Sequence, residues 1–447
     1  MTGSIPTSLF LSAWCLCMTL TTTRAFQILP HQILTITGYQ RHQQQQQSLS
    51  RPLHYSNYRT SSAITTLSLS KAADTDTTTS TNTQTLKLVN GIRDIVDDYD
   101  IFLLDMWGVM HDGFTPYEGV IEVVQKLRQA NKTLVILSNS SQRKQNSIIN
   151  LQGLGFLIKD QQQQQNHKEV FDNIITSGEV AFQMLAEGVV ANDDNDIDVS
   201  LLPKQPWDIL TQIKSQNAKH NRDNKVFVLG SDPKRDVPYI QSSGWTFAPV
   251  QEADLILASG TFSVNGNGND DDINKRIDSD AYETAVTESL RIAAQRGIPM
   301  VVSNPDKIRP DFERPPMPGR LGDRYEQELI RVGGKTPLEA EALVKRIGKP
   351  FGDVYDIALL DGQQEQRACM VGDALETDIT GGSLAGIDTV WILKDGVYMP
   401  ELEAAKDKPL LEAATEILQD FNRNKEDSYA KGQPDQLPTV AMAHFRW

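Results

Sequence analysis

Ile101-Phe102-Leu103-Leu104-Asp105-Met106-Trp107-Gly108-Val109 runs four apolar residues into an aspartate and then a glycine. Apolar residues without polar alternation predict a strand buried on both faces, as in a parallel sheet covered by helices. A carboxylate just past the carboxyl end of such a strand faces the crevice where open α/β sheets bind ligands, and Gly108 lets the chain turn sharply away. Asp105 would then be placed to attack a phosphorus atom. Strands also end in aspartate for turn or capping reasons, so Asp105 alone decides nothing.

The surrounding chain repeats the pattern. Strand-like runs at Thr133–Ser138, Asn173–Thr176, Val226–Gly230, Leu255–Ser259, Met300–Ser303, Ala368–Gly372 and Thr389–Leu393 accompany Ile101–Asp105. Stretches of helical spacing, Val120–Ala130, Ala281–Arg296 and Leu338–Ile347, separate some of them. Alternation of this kind predicts an α/β fold with a Rossmann-like, doubly wound parallel sheet. A dinucleotide site would need a Gly-x-Gly-x-x-Gly turn after the first strand, and Asp105-Met106-Trp107-Gly108-Val109 has none.

Three further motifs answer the first. Val135-Ile136-Leu137-Ser138-Asn139-Ser140 is an apolar run ending in hydroxyl and amide donors. Beside Asp105, Ser138 would hold a phosphoryl oxygen while N–H groups of the following helix start add donors; a plain helix cap uses the same residues. Gly348-Lys349-Pro350 brings an ammonium that would neutralise both Asp105 and an incoming phosphate, although most lysines are solvated surface charges. Met370-Val371-Gly372-Asp373-Ala374-Leu375-Glu376-Thr377-Asp378, followed by Gly381-Gly382, is the most specific. Its carboxylates Asp373 and Asp378, on a strand-to-helix turn, suit Mg²⁺, a hard cation that takes oxygen ligands and keeps several waters.

Four such motifs in this order, each at a strand end, resemble the haloacid dehalogenase-like (HAD) hydrolase superfamily, most of whose members are Mg²⁺-dependent phosphatases working through an aspartyl-phosphate. About 210 residues separate Ser138 from Lys349, which requires a large inserted cap. Val301-Val302-Ser303-Asn304-Pro305-Asp306 and the later Pro318-Gly319-Arg320-Leu321-Gly322 look like class IIA, whose cap is itself α/β and closes over the core. The resemblance implies Asp105 as nucleophile and Mg²⁺ ligand, the Trp107 carbonyl and Asp373 as further ligands, and Asp378 as the residue that orients metal-bound water. It also implies Ser138 and Lys349 as phosphoryl-binding groups. Asn139, Asn304 and Asp306 are expected at the substrate, a small phosphorylated metabolite. A homo-oligomer formed through the cap is a further expectation.

One position departs from the family. The residue two after the nucleophile is normally a second Asp that protonates the leaving oxygen and later deprotonates water, and here it is Trp107. Loss of such a group costs roughly 10²–10⁴-fold in rate. Three readings remain open: a substrate whose leaving group needs little protonation, such as an acyl phosphate or phosphoanhydride; a proton supplied by His111 or Asp112; or a protein that binds a phosphorylated ligand and catalyses little. Against the second, Met110-His111-Asp112-Gly113 also reads as a surface turn.

Composition bounds the remaining choices. The chain has 447 residues, 39% hydrophobic and 23% charged, enough for two folded lobes. Its net charge of −15 and the lack of a basic cluster argue against a nucleic-acid surface. No acid precedes Asp74, whereas Arg24, Arg41, Arg51, Arg59 and Lys71 do, so the chain from Asp74 onward carries −20. The apolar run Leu9–Leu20, with small residues before Phe26, predicts a signal peptide over 1–25. The Ser-, Thr-, Gln- and Arg-rich segment 26–84 resembles a transit peptide, and the two together resemble the bipartite plastid presequence of algae with complex plastids; mitochondrial and secreted destinations are the alternatives.

The mature chain is expected to be free of membrane spans and to keep only Cys369, inside an apolar run and therefore in the core. The expected organisation is a core of 85–178 and 311–425, an inserted cap of 179–310, and a polar tail of 426–447. Gln161–Gln165, Asn192–Asp198 and Asn265–Asp272 read as surface loops.

Overall fold

A computed structural model describes residues 85–156, 170–189, 197–265, 280–309, 314–359 and 366–447. The presequence-like segment 1–84 and the expected loop Gln161–Gln165 lie outside the described residues, as does most of Asn192–Asp198 and Asn265–Asp272.

Among the described residues, twelve strands form two sheets: β1 (Ile101–Leu104), β2 (Thr133–Ser138), β3 (Asn173–Thr176), β4 (Asn224–Gly230), β5 (Trp245–Phe247), β6 (Leu255–Ala258), β7 (Ser263–Val264), β8 (Met300–Val302), β9 (Val344–Arg346), β10 (Ala368–Gly372), β11 (Asp388–Ile392) and β12 (Val440–Met442). The core sheet runs β12-β11-β10-β1-β2-β3 and is parallel throughout. The cap sheet runs β5-β4-β6-β8-β9, also parallel, with β7 antiparallel to β4.

Sequence order in the core sheet reverses between β1 and β10, which makes their carboxyl ends the topological switch point where open sheets bind ligands. Register pairs Leu104 with Val371, and the Asp105 N–H donates to the Val371 carbonyl at 3.0 Å. Asp105 and Asp373 therefore leave adjacent strands side by side.

Alternate residues of the core strands pack on opposite faces. Phe102, Leu104, Cys369, Val371, Val390 and Ile392 join one apolar cluster with the helix Val120–Gln129. Ile101, Leu103, Val135, Leu137 and Met370 join another, which also contains Val226, Val228, Leu255 and Leu257 of the cap sheet. Between the sheets lies the helix Ser177–Ala186, buried at every position. Although it carries Glu179, which pairs with Gln183 and with Arg143, it is enclosed on all sides and fastens the cap to the core: Trp245 Nε1 donates to the Leu185 carbonyl at 3.1 Å and Tyr239 Oη to the Gly178 carbonyl at 2.7 Å.

Three expectations require correction. Leu338–Ile347 is not one helix. A helix covers only Pro337–Ala342, started by a capping box between Thr336 and Glu339, and the chain then enters β9. Pairing of Val344-Lys345-Arg346 with β8 overrides the helical spacing. The cap consequently extends past 310, through the helix Pro318–Arg331, whose Leu321, Tyr325 and Leu329 pack with Ile256, Met300 and Val302 beneath the cap sheet. Residues 426–447 are not a loose tail: β12 extends the core sheet beyond β11, and Phe445 is fully buried. Its signal was three apolar residues in polar surroundings, and only pairing with a distant strand makes it a strand.

Among the described residues no helix is long and apolar enough to cross a membrane.

Candidate active site

Asp105 and Asp373, just past β1 and β10, meet Lys349 and Asp378 at the switch point. Lys349 Nζ lies 2.7 Å from Asp105 Oδ1 and 2.6 Å from Asp378 Oδ1, and side-chain oxygens of Asp105, Asp373 and Asp378 all fall within 4.8 Å of one another. Lys349 and Asp378 are buried completely, with Asp105 and Asp373 lining the cavity in front of them.

Local backbone explains how each is held. After Asp105 the chain closes a tight loop in which the Met110 N–H donates to the Met106 carbonyl at 2.8 Å and the Gly108 N–H to the His111 carbonyl at 3.2 Å. Gly108 takes φ +87°, and a Cβ there would stand 2.4 Å from Asp373 Oδ2, so only glycine allows both the turn and the approach. Asp373 is fixed by the Val397 N–H at 2.8 Å. A single π-turn, Leu375–Ile379, carries Asp378, whose Oδ2 accepts from the Asp373 and Ala374 N–H groups at 3.1 and 3.0 Å. Turns of this type interrupt helices mostly at functional sites.

Ser138 ends β2 at the cavity wall; its Oγ accepts from the Ser140 N–H at 3.2 Å and keeps its own hydrogen to donate. Asn139 lines the cavity, with its side-chain amide already engaged. Its Nδ2 donates to Asp306 Oδ1 at 2.7 Å and to the Lys349 carbonyl at 3.0 Å, while its Oδ1 accepts from the Lys349 N–H at 2.7 Å. With both amide hydrogens engaged, Asn139 holds the lysine loop and Asp306 in place. Asn304 Oδ1 accepts from the Asp306 N–H at 2.9 Å, and both residues line the cavity.

Electrostatics indicate what the site requires. Burial pushes the Asp105 carboxyl up to about 7, with Lys349 pulling it down and Asp378 pushing it further up. Burial, then Asp378 and Asp105, raise Asp373 well above the usual carboxylate range. Burial disfavours the Lys349 ammonium, but Asp105 and Asp378 outweigh it and hold its pKa above the ordinary lysine value. Three clustered carboxylates against one ammonium leave two negative charges unmatched in a low-dielectric setting, a donor set that fits a hard divalent cation.

The two residues considered as substitute proton carriers separate. Asp112 is a turn residue, its oxygens taken by the N–H groups of Phe114 and Thr115 at 2.8 and 2.7 Å and by Thr115 Oγ1 at 3.1 Å; these bonds hold its carboxyl below the usual range. His111 is not on a surface turn. It is buried, and burial lowers its pKa. The Gly113 N–H donates to His111 Nδ1 at 3.0 Å, so the neutral ring carries its hydrogen on Nε2, which has no hydrogen-bond partner among the described residues. Protonating Nδ1 would break the bond from Gly113, which makes His111 a poor general acid and leaves it as a neutral donor.

Trp107 and residues without a sequence signal complete the surroundings. The cavity, about 390 Å³, takes Trp107 and Phe114 from the core loop and Arg235 and Phe262 from the cap. Tyr429, in the supposed tail, donates through Oη to the Pro305 carbonyl at 2.7 Å and through its N–H to Glu376 Oε1 at 3.0 Å. Lys307 lies 4.4 Å from the Tyr429 ring centroid and pairs with Glu376 at 2.9 Å. The C-terminal segment thus ties the Asn304–Asp306 turn to the turn that carries Asp373 and Asp378.

The chain is similar to several known proteins. Residues 102–245 match a family model described as haloacid dehalogenase-like hydrolase, and residues 346–422 match one described as HAD-hydrolase-like. A 4-nitrophenylphosphatase of Schizosaccharomyces pombe is 21% identical over 324 residues, which cover 71% of this chain and 91% of that protein. Phosphoglycolate phosphatase 2 of Arabidopsis thaliana is 23% identical over 324 residues, 68% of this chain and 86% of that protein. Among solved structures, a haloacid dehalogenase-like hydrolase from Brucella suis 1330 aligns over 80% of this chain and 100% of its own, at 18% identity and a TM-score of 0.49.

Proposed function

The chain belongs to the haloacid dehalogenase-like hydrolase superfamily, and we propose that it is a Mg²⁺-dependent phosphoric monoester hydrolase acting on a small phosphorylated metabolite through an aspartyl-phosphate on Asp105. The observation that carries this reading is the meeting of Lys349 and Asp378 with Asp105 and Asp373, the two carboxylates that leave the adjacent parallel strands β1 and β10. Buried carboxylates and an ammonium in this arrangement have no evident structural use, since replacing them by apolar residues would usually be neutral or stabilising.

Asp105, Asp373 and the Trp107 carbonyl would hold the metal ion, with Asp378 orienting its water. Bound there, Mg²⁺ supplies positive charge that screens the anionic nucleophile from the anionic substrate. The Asp105 carboxylate attacks phosphorus, Lys349 and Ser138 bind the phosphoryl oxygens, and Asn139 keeps the lysine loop at the right height. Trp107 offers no ionisable proton at the position where a leaving oxygen would normally receive one, so the favoured substrates are those whose leaving group departs as a stable anion. The names of the two relatives, a 4-nitrophenylphosphatase and a phosphoglycolate phosphatase, support a phosphomonoester substrate.

Phosphate release measured across a panel of phosphometabolites, acyl phosphates included, tests the reading. Turnover that needs Mg²⁺ and disappears in Asp105→Asn is expected. A folded protein that binds phosphorylated ligands but shows no Asp105-dependent turnover would favour the second reading, a binding protein on a hydrolase scaffold, for which Trp107 is the motivating observation. We also propose a plastid destination for the mature chain; segment 1–84 fused to a fluorescent reporter would settle it by microscopy.

A further inference from the structure

Five charges alternate in sign between the cap and the turn that carries Asp378. Glu326 pairs with Arg346 at 2.6 Å, Arg346 with Asp323 at 2.8 Å, Asp323 with Lys307 at 3.3 Å, and Lys307 with Glu376 at 2.9 Å. The first three residues belong to the cap, on the helix Pro318–Arg331 and on β9. Glu376 belongs to the core, inside the π-turn Leu375–Ile379 and two residues before Asp378. Lys307 follows the Asn304–Asp306 turn, and through it the row of charges crosses from one lobe to the other.

The Lys307 backbone is fixed to the cap. Its carbonyl accepts the Met317 N–H at 3.0 Å and Arg320 Nε at 3.1 Å, while the Asp306 carbonyl accepts the Gly319 N–H at 3.0 Å. These donors stand at the start of the helix Pro318–Arg331, where N–H groups have no partner inside the helix. The ammonium, by contrast, reaches the core. Besides Glu376 and Asp323 it donates to the Asp427 carbonyl at 2.7 Å. Three acceptors therefore surround a group with three hydrogens, which leaves none to offer a substrate. Only 14% of the Lys307 side chain is exposed and 7% of the Arg346 side chain, so solvent screens these pairs less than it screens a surface pair.

We propose that Lys307 is a positioning residue that transmits the placement of the cap to the metal-holding turn, so that Mg²⁺ affinity depends on the row of charges between them. The proposal rests on the hydrolase reading above for the metal, and on the ion pairs alone for the coupling. Without Lys307, Glu376 and Asp323 lose the cation they share, and a half-buried carboxylate left unpaired is driven toward water. Movement of Glu376 shifts the turn that orders Asp373 and Asp378. By linkage, Mg²⁺ bound at that turn favours the docked cap to the same extent.

Calorimetric titration of the full chain with Mg²⁺ alone reads the coupling without turnover, and Asp373→Asn identifies the heat that belongs to the site. Lys307→Met is expected to weaken Mg²⁺ binding on the order of tenfold, the size of effect that groups orienting metal ligands produce. The sign discriminates: an ammonium repels a divalent cation, so through space alone its removal would tighten binding. Lys307→Arg, which keeps the charge and its acceptors, should stay near the parent, and Asp323→Asn, on the cap side, should weaken binding by a smaller factor than Lys307→Met. Thermal midpoints check that each variant folds. Unchanged or tighter binding in Lys307→Met, or an equal loss in Lys307→Arg, would overturn the proposal and leave the hydrolase reading standing. Should Lys307→Met not fold, unchanged binding in Asp323→Asn would overturn it in the same way. A parent protein in which Mg²⁺ gives no heat that depends on Asp373 would remove the metal reading, and this proposal with it.

Discussion

Residues 101–113 and residues 425–447 both end against the same site, and only the first stretch says so in its residue types. In the first, an apolar strand delivers Asp105, and Gly108 lets the loop pass 2.4 Å from Asp373 at the point where a Cβ would stand. In the second, Tyr429 reaches the site through a hydroxyl on a backbone carbonyl and an N–H on Glu376, while β12 anchors the segment to β11. Groups that perform chemistry are limited to a few side chains. Groups that brace them use backbone atoms and buried rings, which many sequences supply.

The contrast predicts unequal effects of mutation. Lys349→Met, in the legible half, should lower turnover by at least about 10²-fold, because it removes the cation facing both nucleophile and phosphate; steady-state kinetics on acetyl phosphate checks it, and a loss below tenfold would remove Lys349 from the site's working parts. Trp107→Asp should raise turnover of an alkyl phosphomonoester by up to roughly 10²-fold by restoring a proton carrier. No gain, in a variant with unchanged Mg²⁺ affinity, would mean that the departure at 107 is not what limits the enzyme.

Smaller effects are expected from the bracing half. Tyr429→Phe removes one hydrogen bond and should cost about 1 kcal/mol in unfolding free energy, with a rise in KM and little change in kcat if the Asn304–Asp306 turn relaxes. An unchanged denaturation midpoint and unchanged KM would show that Tyr429 braces nothing. Removal of β12 and Phe445 by truncation before Val440 should unfold the core sheet's edge, a result that distinguishes a structural strand from an appendage.

The smallest effect concerns Glu179, which starts the buried helix between the sheets. Burial raises its carboxyl, but the Arg143 guanidinium at 2.6 Å, the Lys144 N–H and Gln183 outweigh that and hold it below the ordinary 4.5. A carboxylate depressed in the folded state contributes stability above its unfolded value and loses that contribution as pH falls through the folded one. Part of the stability should therefore be lost on acidification below about pH 4.5, and Glu179→Gln should flatten the pH dependence of the denaturation midpoint in that range. An identical slope in the variant would exclude the pair as a source of acid sensitivity.

How much was legible follows the same division. Ile101–Leu104 and Ala368–Gly372 could be read as buried parallel strands because their apolar runs are unbroken. The short strands β5, β7, β9 and β12 could not, since each is two or three residues long and exists through pairing with a partner far along the chain. Leu338–Ile347 was misjudged for that reason. At the site, Asp105, Lys349, Asp373 and Asp378 were found by type and spacing, whereas the task of Asn139 depends on the backbone of Lys349, 210 positions later. Phe262 gives no sign of itself at all: it lines the cavity only because two lobes meet there.

The central claim, a phosphorylated Asp105, is most directly tested by mixing the full chain and Mg²⁺ with radiolabelled acetyl phosphate, quenching in acid and locating the label. The predicted result is an acid-stable, hydroxylamine-labile phosphate on the peptide containing Asp105, absent from Asp105→Asn. Equal labelling of the variant, or steady turnover with label on another residue, would contradict the account.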